Sequence, residues 1–305
     1  MLVKIKYIWD SGFQTFTSLF RVIFQSKKFI RYSKGKSSTS NDVVILGNGP
    51  SLNEFVESSE DFLATRSKLA VNYFVRSEFY QRLKPNYYLI TSPEFWKKEE
   101  KEGWSEDRMK TFELLADRTD WDLVFYVPKL AEKHHKWKGI IEANKNIEIR
   151  YFNNIPIEGF VFFRNWAFKN NLGMPRPHNV IIPSLMMSIN MKYSRIFLAG
   201  SEHSWLKELN VTEDNVTLLS QKHFYEKQSS HVKSIHSNVK EKPMYYGGSK
   251  NKRPLHDVLE KFYFTFRAYW EIKDFATKKN VSIYNLTKDS YIDAYDKKST
   301  HDFTA

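Results

Sequence analysis

The chain has no cysteine, and this absence removes several classes of function. Without cysteine there is no disulfide framework, no thiolate nucleophile and no cysteine-based metal site. This composition fits a reducing compartment but does not require one. Acidic residues are also scarce relative to basic ones, 35 against 47, which gives a formal net charge of +12.

The excess of basic residues is concentrated in the first 41 residues. That segment has eight basic residues and one acidic residue, a net charge of +7. The remainder is only mildly basic, so no nucleic-acid partner is expected, because such a partner would need a basic working face.

Apolar residues recur at three- and four-residue steps through the same segment, from Ile5 to Ile30. This spacing predicts an amphipathic helix. Polar residues interrupt it too often for a bilayer span, and no compact signal-peptide core is present. Two interpretations are open: residues 1–36 lie on an anionic membrane surface, or the helix packs on the domain or on a second subunit of a homo-oligomer. Ser33–Asn41 is predicted to be a flexible linker.

Strand and helix patterns alternate after this segment, which predicts an α/β fold of the Rossmann-like type. We expect one mostly parallel sheet with helices on both faces over residues 42–296, an irregular lid at about 201–255 and a tail at 297–305. Apolar runs and helical spacing give the following elements: strands at Asp42–Leu46, Lys68–Phe74, Tyr87–Thr91, Leu123–Val127, Arg195–Ala199 and Val281–Tyr284; helices at Leu52–Thr65, Ser77–Leu83, Ser105–Asp117, Ser184–Met191 and Phe262–Thr277.

The most informative motif follows the first of these strands, where the sequence reads Gly47-Asn48-Gly49-Pro50-Ser51. The glycines permit a sharp turn and the close approach of a ligand, and Pro50 suits the first turn of a helix. A strand that runs through such a turn into a helix exposes N–H groups that can hold a phosphate. The motif is neither Gly-x-Gly-x-x-Gly nor a Walker loop. A tight turn without a ligand is the alternative.

Small polar residues stand at other predicted strand ends: Asn72, Ser92, Gly200, Glu202 and Asn285. Ligands of open α/β sheets collect at the carboxyl ends of the strands. We therefore expect these residues to join the glycine turn in one nucleotide site.

The Gly-Asn-Gly-Pro-Ser-Leu run resembles the opening of bacterial CMP-sialic-acid-dependent sialyltransferases that act on lipooligosaccharide. It is also similar to a related domain of flagellin glycosyltransferases. Asn72 stands where those sialyltransferases have a nucleotide-contacting asparagine, and Ser92-Pro93 stands where they have Asn-Pro. The segment from Met191 to Glu202 parallels a strand of that family which ends in Gly-Ile-Asp. The resemblance spans roughly 42–296.

Three positions depart from the pattern of that family. Glu202 replaces an aspartate, and Ser92 replaces an asparagine. A Thr-Ser-Gly nucleotide contact would fall near Asn179–Ile181, where the hydroxyls are missing. The resemblance therefore supports the predicted fold more strongly than it supports a CMP-activated sugar as the donor.

The resemblance implies an inverting, metal-independent transfer of a sugar from a CMP-activated donor, with the nucleotide sugar as co-substrate and no other cofactor. Such a reaction needs a general base for the acceptor hydroxyl, and histidine suits this role near neutral pH. The base of the family precedes its late helix, which favours His256; counting forward from the acidic residue favours His236 instead. Tyr225, in His223-Phe224-Tyr225, is a candidate for contact with the leaving phosphate.

Three functions follow as hypotheses. The first is a sialyltransferase-like enzyme that transfers a sugar to a cell-surface glycan or glycolipid, in the cytoplasm or at the inner face of a membrane. The second is a pyrophosphokinase-like phosphotransferase that uses ATP and Mg²⁺. The third is a nucleotide- or glycan-binding protein without catalytic activity at the membrane. No histidine and carboxylate pair has metal-site spacing, so no metal is expected.

Overall fold

A computed structural model describes residues 2–27, 30–96, 106–219, 242–245 and 251–303. Its centre is an eight-stranded sheet in which every neighbouring pair of strands is parallel. The strands of this sheet are β1 (Asp42–Leu46), β2 (Ser67–Val71), β3 (Tyr87–Leu89), β4 (Leu123–Pro128), β5 (Ile147–Phe152), β6 (Arg195–Ala199), β10 (Ser282–Asn285) and β11 (Asp296–Lys297).

Helices connect these strands. The described helices are α1 (Leu2–Gln25), α2 (Leu52–Ser58), α3 (Glu60–Ala64), α4 (Phe79–Leu83), α5 (Glu106–Arg118), α6 (His135–Glu142), α7 (Val161–Lys169), α8 (Ile181–Asn190) and α9 (Leu255–Thr277). The predicted α/β fold with a mostly parallel sheet and helices on both faces is confirmed.

The order of strands across the sheet is β11-β10-β6-β1-β2-β3-β4-β5. The chain builds outward from β1 to β5, returns to the other side of β1 with β6, and then continues to β10 and β11. The direction of winding therefore reverses between β1 and β6. In open parallel sheets a crevice forms at this reversal, outside the carboxyl ends of the two strands.

The strands are buried on both faces because each face carries its own apolar core. One core contains Val43, Ile45 and Leu198 of the sheet with residues of α8 and α9. The other contains Val44, Leu46 and Phe197 with residues of α2 to α6. Alternate residues of β1 thus serve opposite cores, which explains why Val43–Leu46 is a continuous apolar run.

Several predicted bounds differ from the structure. The helix predicted over Leu52–Thr65 is two helices, α2 and α3, separated at Ser59. The second strand ends at Val71, because Asn72 has a left-handed backbone with φ of 49°. Helix α9 begins at Leu255, seven residues before the predicted start. The prediction gave no bounds for α6, β5 or α7.

The predicted irregular lid contains regular structure in its described part. β7 (Leu209–Val211), β8 (Thr217–Leu219) and β9 (Lys242–Pro243) form a small antiparallel sheet. Leu219 of β8 packs with Val258 and Phe262 of α9. Asn215, in the turn between β7 and β8, has φ of 56°, a backbone conformation that tight hairpin turns require. The polar composition of the segment did not predict this hairpin.

The segments predicted as linker and tail both contact the body. Gly35 is buried and donates its N–H to the Tyr87 hydroxyl at 3.0 Å. At the other end, β11 adds to the sheet, and the ring of Phe303 packs against Phe197 at 4.9 Å between centroids. Residues 33–41 therefore do not form the free linker that the sequence predicted, because part of the segment packs on the body.

Candidate active site at the glycine turn

The glycine turn after β1 lies at the reversal between β1 and β6, and its N–H groups are already used within the protein. Gly47 donates its N–H to the Ala199 carbonyl at 2.8 Å, and Gly49 donates to the Gly200 carbonyl at 2.8 Å. Ser51 donates to Oε1 of Glu202 at 2.7 Å. The prediction that these amides are free to cradle a phosphate is wrong for all three, because the β6 segment supplies their acceptors.

Both glycines of the turn are required by this close approach. A Cβ at Gly47 would overlap the Gly200 carbonyl and stand 2.7 Å from Ser201 Oγ. A Cβ at Gly49 would overlap the Glu202 carboxylate and stand 2.8 Å from the Gly200 carbonyl. The glycines therefore admit a neighbouring segment of the same chain, rather than only a ligand. Gly200 itself has φ of 62°, a conformation that favours glycine.

Asn48 and Asn72 join the end of β2 to the same site. Asn48 donates from Nδ2 to the Val71 carbonyl at 3.3 Å. Asn72 donates its backbone N–H to the Leu89 carbonyl at 3.0 Å, and its own carbonyl accepts a hydrogen bond from the Tyr88 hydroxyl. The structure thus brings together the predicted site residues at the ends of β1, β2 and β6.

Five buried polar atoms at this site have no hydrogen-bond partner among the described residues. Buried polar atoms are nearly always paired, and each one left unpaired costs about 1–3 kcal/mol. Such a concentration indicates a place that a ligand completes. The five atoms are Asn48 Oδ1, Asn72 Oδ1, Glu202 Oε2, Ser51 Oγ and Ser201 Oγ.

The chemistry of these atoms selects the ligand. The amide oxygens and the Glu202 carboxylate accept hydrogen bonds and cannot donate them, and the serine hydroxyls can do both. A phosphate group offers acceptors and negative charge, so it is a poor match for Glu202. Hydroxyl groups of a ribose or another sugar are donors, and they match all five atoms. Ligand hydroxyl groups are therefore a chemical match for these five atoms.

His203, the residue after Glu202, belongs to a hydrogen-bonded chain of three side chains. Asn179 Oδ1 accepts the N–H groups of Ile181 and Ile182 at the start of α8, at 2.9 and 3.2 Å. Its Nδ2 therefore faces Tyr269 and donates to that hydroxyl at 2.9 Å. The Tyr269 hydroxyl lies 3.0 Å from His203 Nδ1.

The direction of this chain fixes the tautomer of His203. Backbone N–H groups can only donate, so the orientation of the Asn179 amide is set, and Tyr269 receives a hydrogen bond from it. The hydrogen of the Tyr269 hydroxyl then points to His203 Nδ1, its remaining partner among the described contacts. The ring proton of neutral His203 lies on Nε2. Burial lowers the pKa of His203 to about 3, so the ring stays neutral near pH 7.

The backbone and neighbours of His203 hold the ring in place. Its φ is 48°, which is uncommon for a residue other than glycine. The ring stacks on Trp205 with 4.2 Å between centroids. Neutral His203, the residue directly after Glu202, therefore has its hydrogen-bond donor at Nε2. Sequence reasoning missed this residue, although its position directly after the acidic residue at the end of β6 was a usable signal.

We expect the tautomer to depend on Tyr269. In the native chain, the ring nitrogens of His203 keep the Nε2–H form and do not titrate between about pH 5 and 8, because burial lowers the pKa to about 3. Tyr269→Phe removes the donor to Nδ1 and costs about 1 kcal/mol of stability. Nitrogen-15 NMR of labelled histidine measures the tautomer and its titration, denaturation with urea measures the loss of stability, and Tyr263→Phe on the exposed face of α9 is the control. A charged or Nδ1–H His203 at neutral pH would contradict the assignment.

The remaining predicted residues lie outside this cluster. Asn285 is buried and bonded to its own loop, since its Oδ1 accepts the Thr287 N–H at 3.0 Å and its Nδ2 donates to Ile292. These bonds hold Asn285 in its own loop, and its predicted contact with a nucleotide stays a prediction. Ser92 stands directly before a short helical turn that follows β3, and its side chain makes no capping hydrogen bond there. Tyr225, His223 and His236 fall outside the described residues.

His256, the predicted base, is the second residue of α9 rather than a residue before the helix. Its side chain is 82% exposed, and its Nε2 lies 3.2 Å from an Asp257 carboxylate oxygen. Tyr269, which contacts His203, lies thirteen residues further along the helix, a rise of about 20 Å. The structure does not bring His256 to the glycine turn.

Metal ligands and membrane spans can be searched only in the described segments. There, no group of three or more histidine, aspartate or glutamate residues is arranged to hold a metal ion. No helix of those segments is both long and apolar enough to cross a bilayer.

Comparisons with known proteins place few limits on this chain. No protein-family model and no curated protein matches it. Among solved structures, it is similar to the Maf glycosyltransferase from Magnetospirillum magneticum AMB-1, with a TM-score of 0.46 and 7% identity. The similarity covers 97% of this chain and 39% of that one. A likeness at this level carries no argument about activity, so the function rests on the site itself.

Proposed function

We propose that the protein is a glycosyltransferase that moves a sugar from a nucleotide-activated donor to an acceptor hydroxyl. The observation that carries this proposal is the cluster of five unpartnered polar atoms at the carboxyl ends of β1, β2 and β6, where the direction of winding reverses. The crevice is the usual nucleotide position in an open parallel sheet, and the five atoms call for a ligand rich in hydroxyl groups. A nucleotide sugar meets both requirements.

The resemblance of the Gly47–Ser51 turn to sialyltransferases supports a finer proposal. The donor is sialic acid or a related sugar carried on CMP, and the acceptor is a cell-surface glycan or glycolipid. The acceptor oxygen attacks the anomeric carbon, the bond to the phosphate oxygen breaks, and the configuration inverts. CMP leaves, and the acceptor proton passes to a general base without participation of a metal.

The contacts around the turn support distinct roles in this reaction. Glu202 Oε2 and the Asn48 and Asn72 amide oxygens accept hydrogen bonds from donor hydroxyls. The neutral Nε2–H of His203 stabilises an oxygen on which negative charge develops. Neutral imidazole suits this role because it donates a hydrogen bond without losing a proton to the leaving group.

His256 stays a predicted base. Its place on the first turn of α9, away from the glycine turn, means that this role rests on the resemblance alone. His256→Ala tests this role: loss of a general base lowers turnover by about 10²- to 10⁴-fold. Unchanged turnover in this variant would transfer the role to another group and leave the proposed reaction intact.

The function is tested by turnover of nucleotide sugars. The full chain is incubated with CMP-, UDP- and GDP-linked sugars and extracted bacterial glycolipid, and mass spectrometry measures the glycosylated product. We expect product with the CMP-linked sugar only. In parallel, a ligand present at 100 times its Kd stabilises the native chain by about 2.7 kcal/mol, which a thermal melt detects.

Each result has a definite meaning. Product from a UDP- or GDP-linked sugar would contradict the CMP assignment while it supported a glycosyltransferase. A melt shifted by ATP and magnesium, with phosphoryl transfer and no sugar transfer, would replace the proposal with a phosphotransferase. If no nucleotide sugar is turned over and none shifts the melt, the protein is not a glycosyltransferase of this kind.

A further inference from the structure

Helix α1 turns its aromatic face away from the rest of the protein. Trp9, Phe13 and Phe24 are 75%, 70% and 74% exposed. A surface helix ordinarily buries its apolar stripe and exposes its polar one. The other large apolar residues exposed on α1 are Ile5, Tyr7, Ile8, Phe16, Leu19, Phe20 and Ile23.

The inward face of α1 is made of small and mostly polar residues. Ser11, Ser18 and Val22 are the buried positions of its described side chains. Thr15 Oγ1 accepts the Phe160 N–H at 2.9 Å, and Ser18 Oγ accepts the Glu158 N–H at 2.9 Å. These two bonds join the helix to the turn between β5 and α7.

That turn is itself held firmly. Gly159 has φ of 102°, and a Cβ there would overlap Thr15 Oγ1, so the turn and the helix fit closely. The buried Glu158 carboxylate is bonded by Arg176 at 2.8 Å and Arg267 at 3.1 Å. Rolling α1 to bury its aromatic side chains would break both bonds to the turn and leave the N–H groups of Glu158 and Phe160 without these partners. The outward direction of the aromatic face is therefore built into the fold.

The exposed apolar surface continues beyond α1. Phe162 is 73% exposed, and Trp166 of the same helix α7 is about half exposed. The ring of Phe162 stacks on Phe160, whose N–H bonds to Thr15, with 5.8 Å between centroids. Exposed contiguous apolar patches of this kind mark interaction sites on soluble domains. We call the outer face of α1 together with Phe162 and Trp166 the aromatic surface.

The aromatic surface could be covered by a second copy of this chain or by an anionic bilayer, and the charge of the N-terminal segment distinguishes the two. Residues 1–41 carry a net charge of +7, and Lys4, Lys6 and Lys27 are exposed on or next to α1. Two copies joined face to face would bring two such positive segments together. The headgroups of an anionic bilayer are complementary to them, and each lysine or arginine near such a surface contributes about 1 kcal/mol. Aromatic side chains also favour the interface between headgroups and acyl chains.

We propose that the aromatic surface docks on an anionic lipid bilayer, with α1 lying in the plane of the interface. The apolar side chains enter the boundary between headgroups and acyl chains, and the lysines contact lipid phosphates. This proposal does not depend on the proposed sugar transfer, since the surface is separate from the glycine turn.

The test uses vesicles and the full chain without substrate. Sedimentation compares vesicles of phosphatidylcholine alone with vesicles of equal parts phosphatidylcholine and phosphatidylglycerol. We expect binding to the anionic vesicles that weakens as salt is raised. The triple variant Trp9→Ser, Phe13→Ser, Phe20→Ser lowers this partitioning by about 100-fold or more, because each aromatic side chain loses the free energy of leaving water.

Leu130→Ser is the matched control, because Leu130 is 55% exposed and lies outside the aromatic surface. It leaves vesicle binding unchanged, and both variants keep the native melting temperature because every mutated side chain is exposed. Equal binding to both vesicle types, or none to either, would overturn the proposal. A dimer of the native chain that forms without lipid and is lost in the triple variant would assign the surface to a second copy. Sugar transfer to a water-soluble acceptor is measured separately, so that a failure of the proposed reaction is distinguished from a failure of membrane docking.

Discussion

Glu202→Gln lowers the turnover of the nucleotide sugar by about 10- to 100-fold and leaves the fold intact. The amide oxygen of glutamine replaces Oε1 and still accepts the Ser51 N–H, so the turn keeps its contact. The unpartnered Oε2 becomes an NH₂ group, which cannot accept a hydrogen bond from a ligand hydroxyl. A hydrogen bond to a charged group contributes about 1.5–3 kcal/mol, which corresponds to this loss. Steady-state kinetics and a thermal melt measure the two effects.

Glu54→Gln is the matched control for this substitution. Glu54 lies in the first turn of α2, three residues after Ser51, and its side chain is exposed. Glu54→Gln removes the same charge near the same turn but breaks no contact within the crevice. Because solvent and salt screen a surface charge, turnover stays within about twofold. Equal losses in both variants would mean that net charge, rather than the Oε2 acceptor, explains the effect. Unchanged turnover in Glu202→Gln would remove Glu202 from the site.

The parts of the fold that the sequence predicted are those with strong local patterns. The buried strands β1, β4 and β6 are continuous apolar runs, and each was found within one residue of its bounds. Strand β5 was missed because Ile147–Phe152 mixes charged with apolar residues. It is the edge strand of the sheet, so part of its surface faces solvent and its composition lacks the signal of a central strand.

The glycine turn shows where local reasoning ends. The spacing of Gly47 and Gly49 correctly located a sharp turn between a strand and a helix. The acceptors of its N–H groups come from residues about 150 positions later in the chain, Ala199, Gly200 and Glu202. They meet the turn because β6 pairs with β1 in a register that places Leu46 beside Ala199. Pairing between strands distant in sequence sets this contact, so no local sequence pattern predicts it.

The same limit explains His203 and α1. The tautomer of His203 depends on Asn179 and Tyr269, which lie on two different helices that the sheet brings together. The helical period of α1 was correctly identified, but the period alone does not say which face meets the body. Thr15 and Ser18 accept hydrogen bonds from N–H groups of the 158–160 turn, and these polar contacts, rather than the apolar pattern, decide that direction.

Gly47→Ala lowers the free energy of unfolding by about 3 kcal/mol. The new Cβ would overlap the Gly200 carbonyl, which belongs to the backbone and cannot rotate away. Ser201 Oγ lies 2.7 Å from the same position. To make room, β1 and β6 must separate at their carboxyl ends, where Gly47 donates to Ala199 at 2.8 Å. Chemical denaturation with urea measures the free energy of unfolding.

Gly139→Ala provides a control of opposite sign. Gly139 lies within α6, it is exposed, and a Cβ there meets nothing within 4 Å. Alanine at such a helical position raises stability by about 0.5–1 kcal/mol, because glycine loses more backbone entropy on folding. The same chemical change thus has opposite effects at two glycines of one chain. A Gly47→Ala protein as stable as the native one would show that the β6 segment does not fill the turn in solution. The crevice would then be open to an anion, and a phosphate cradle at Gly47–Ser51 would again be the better description of the site.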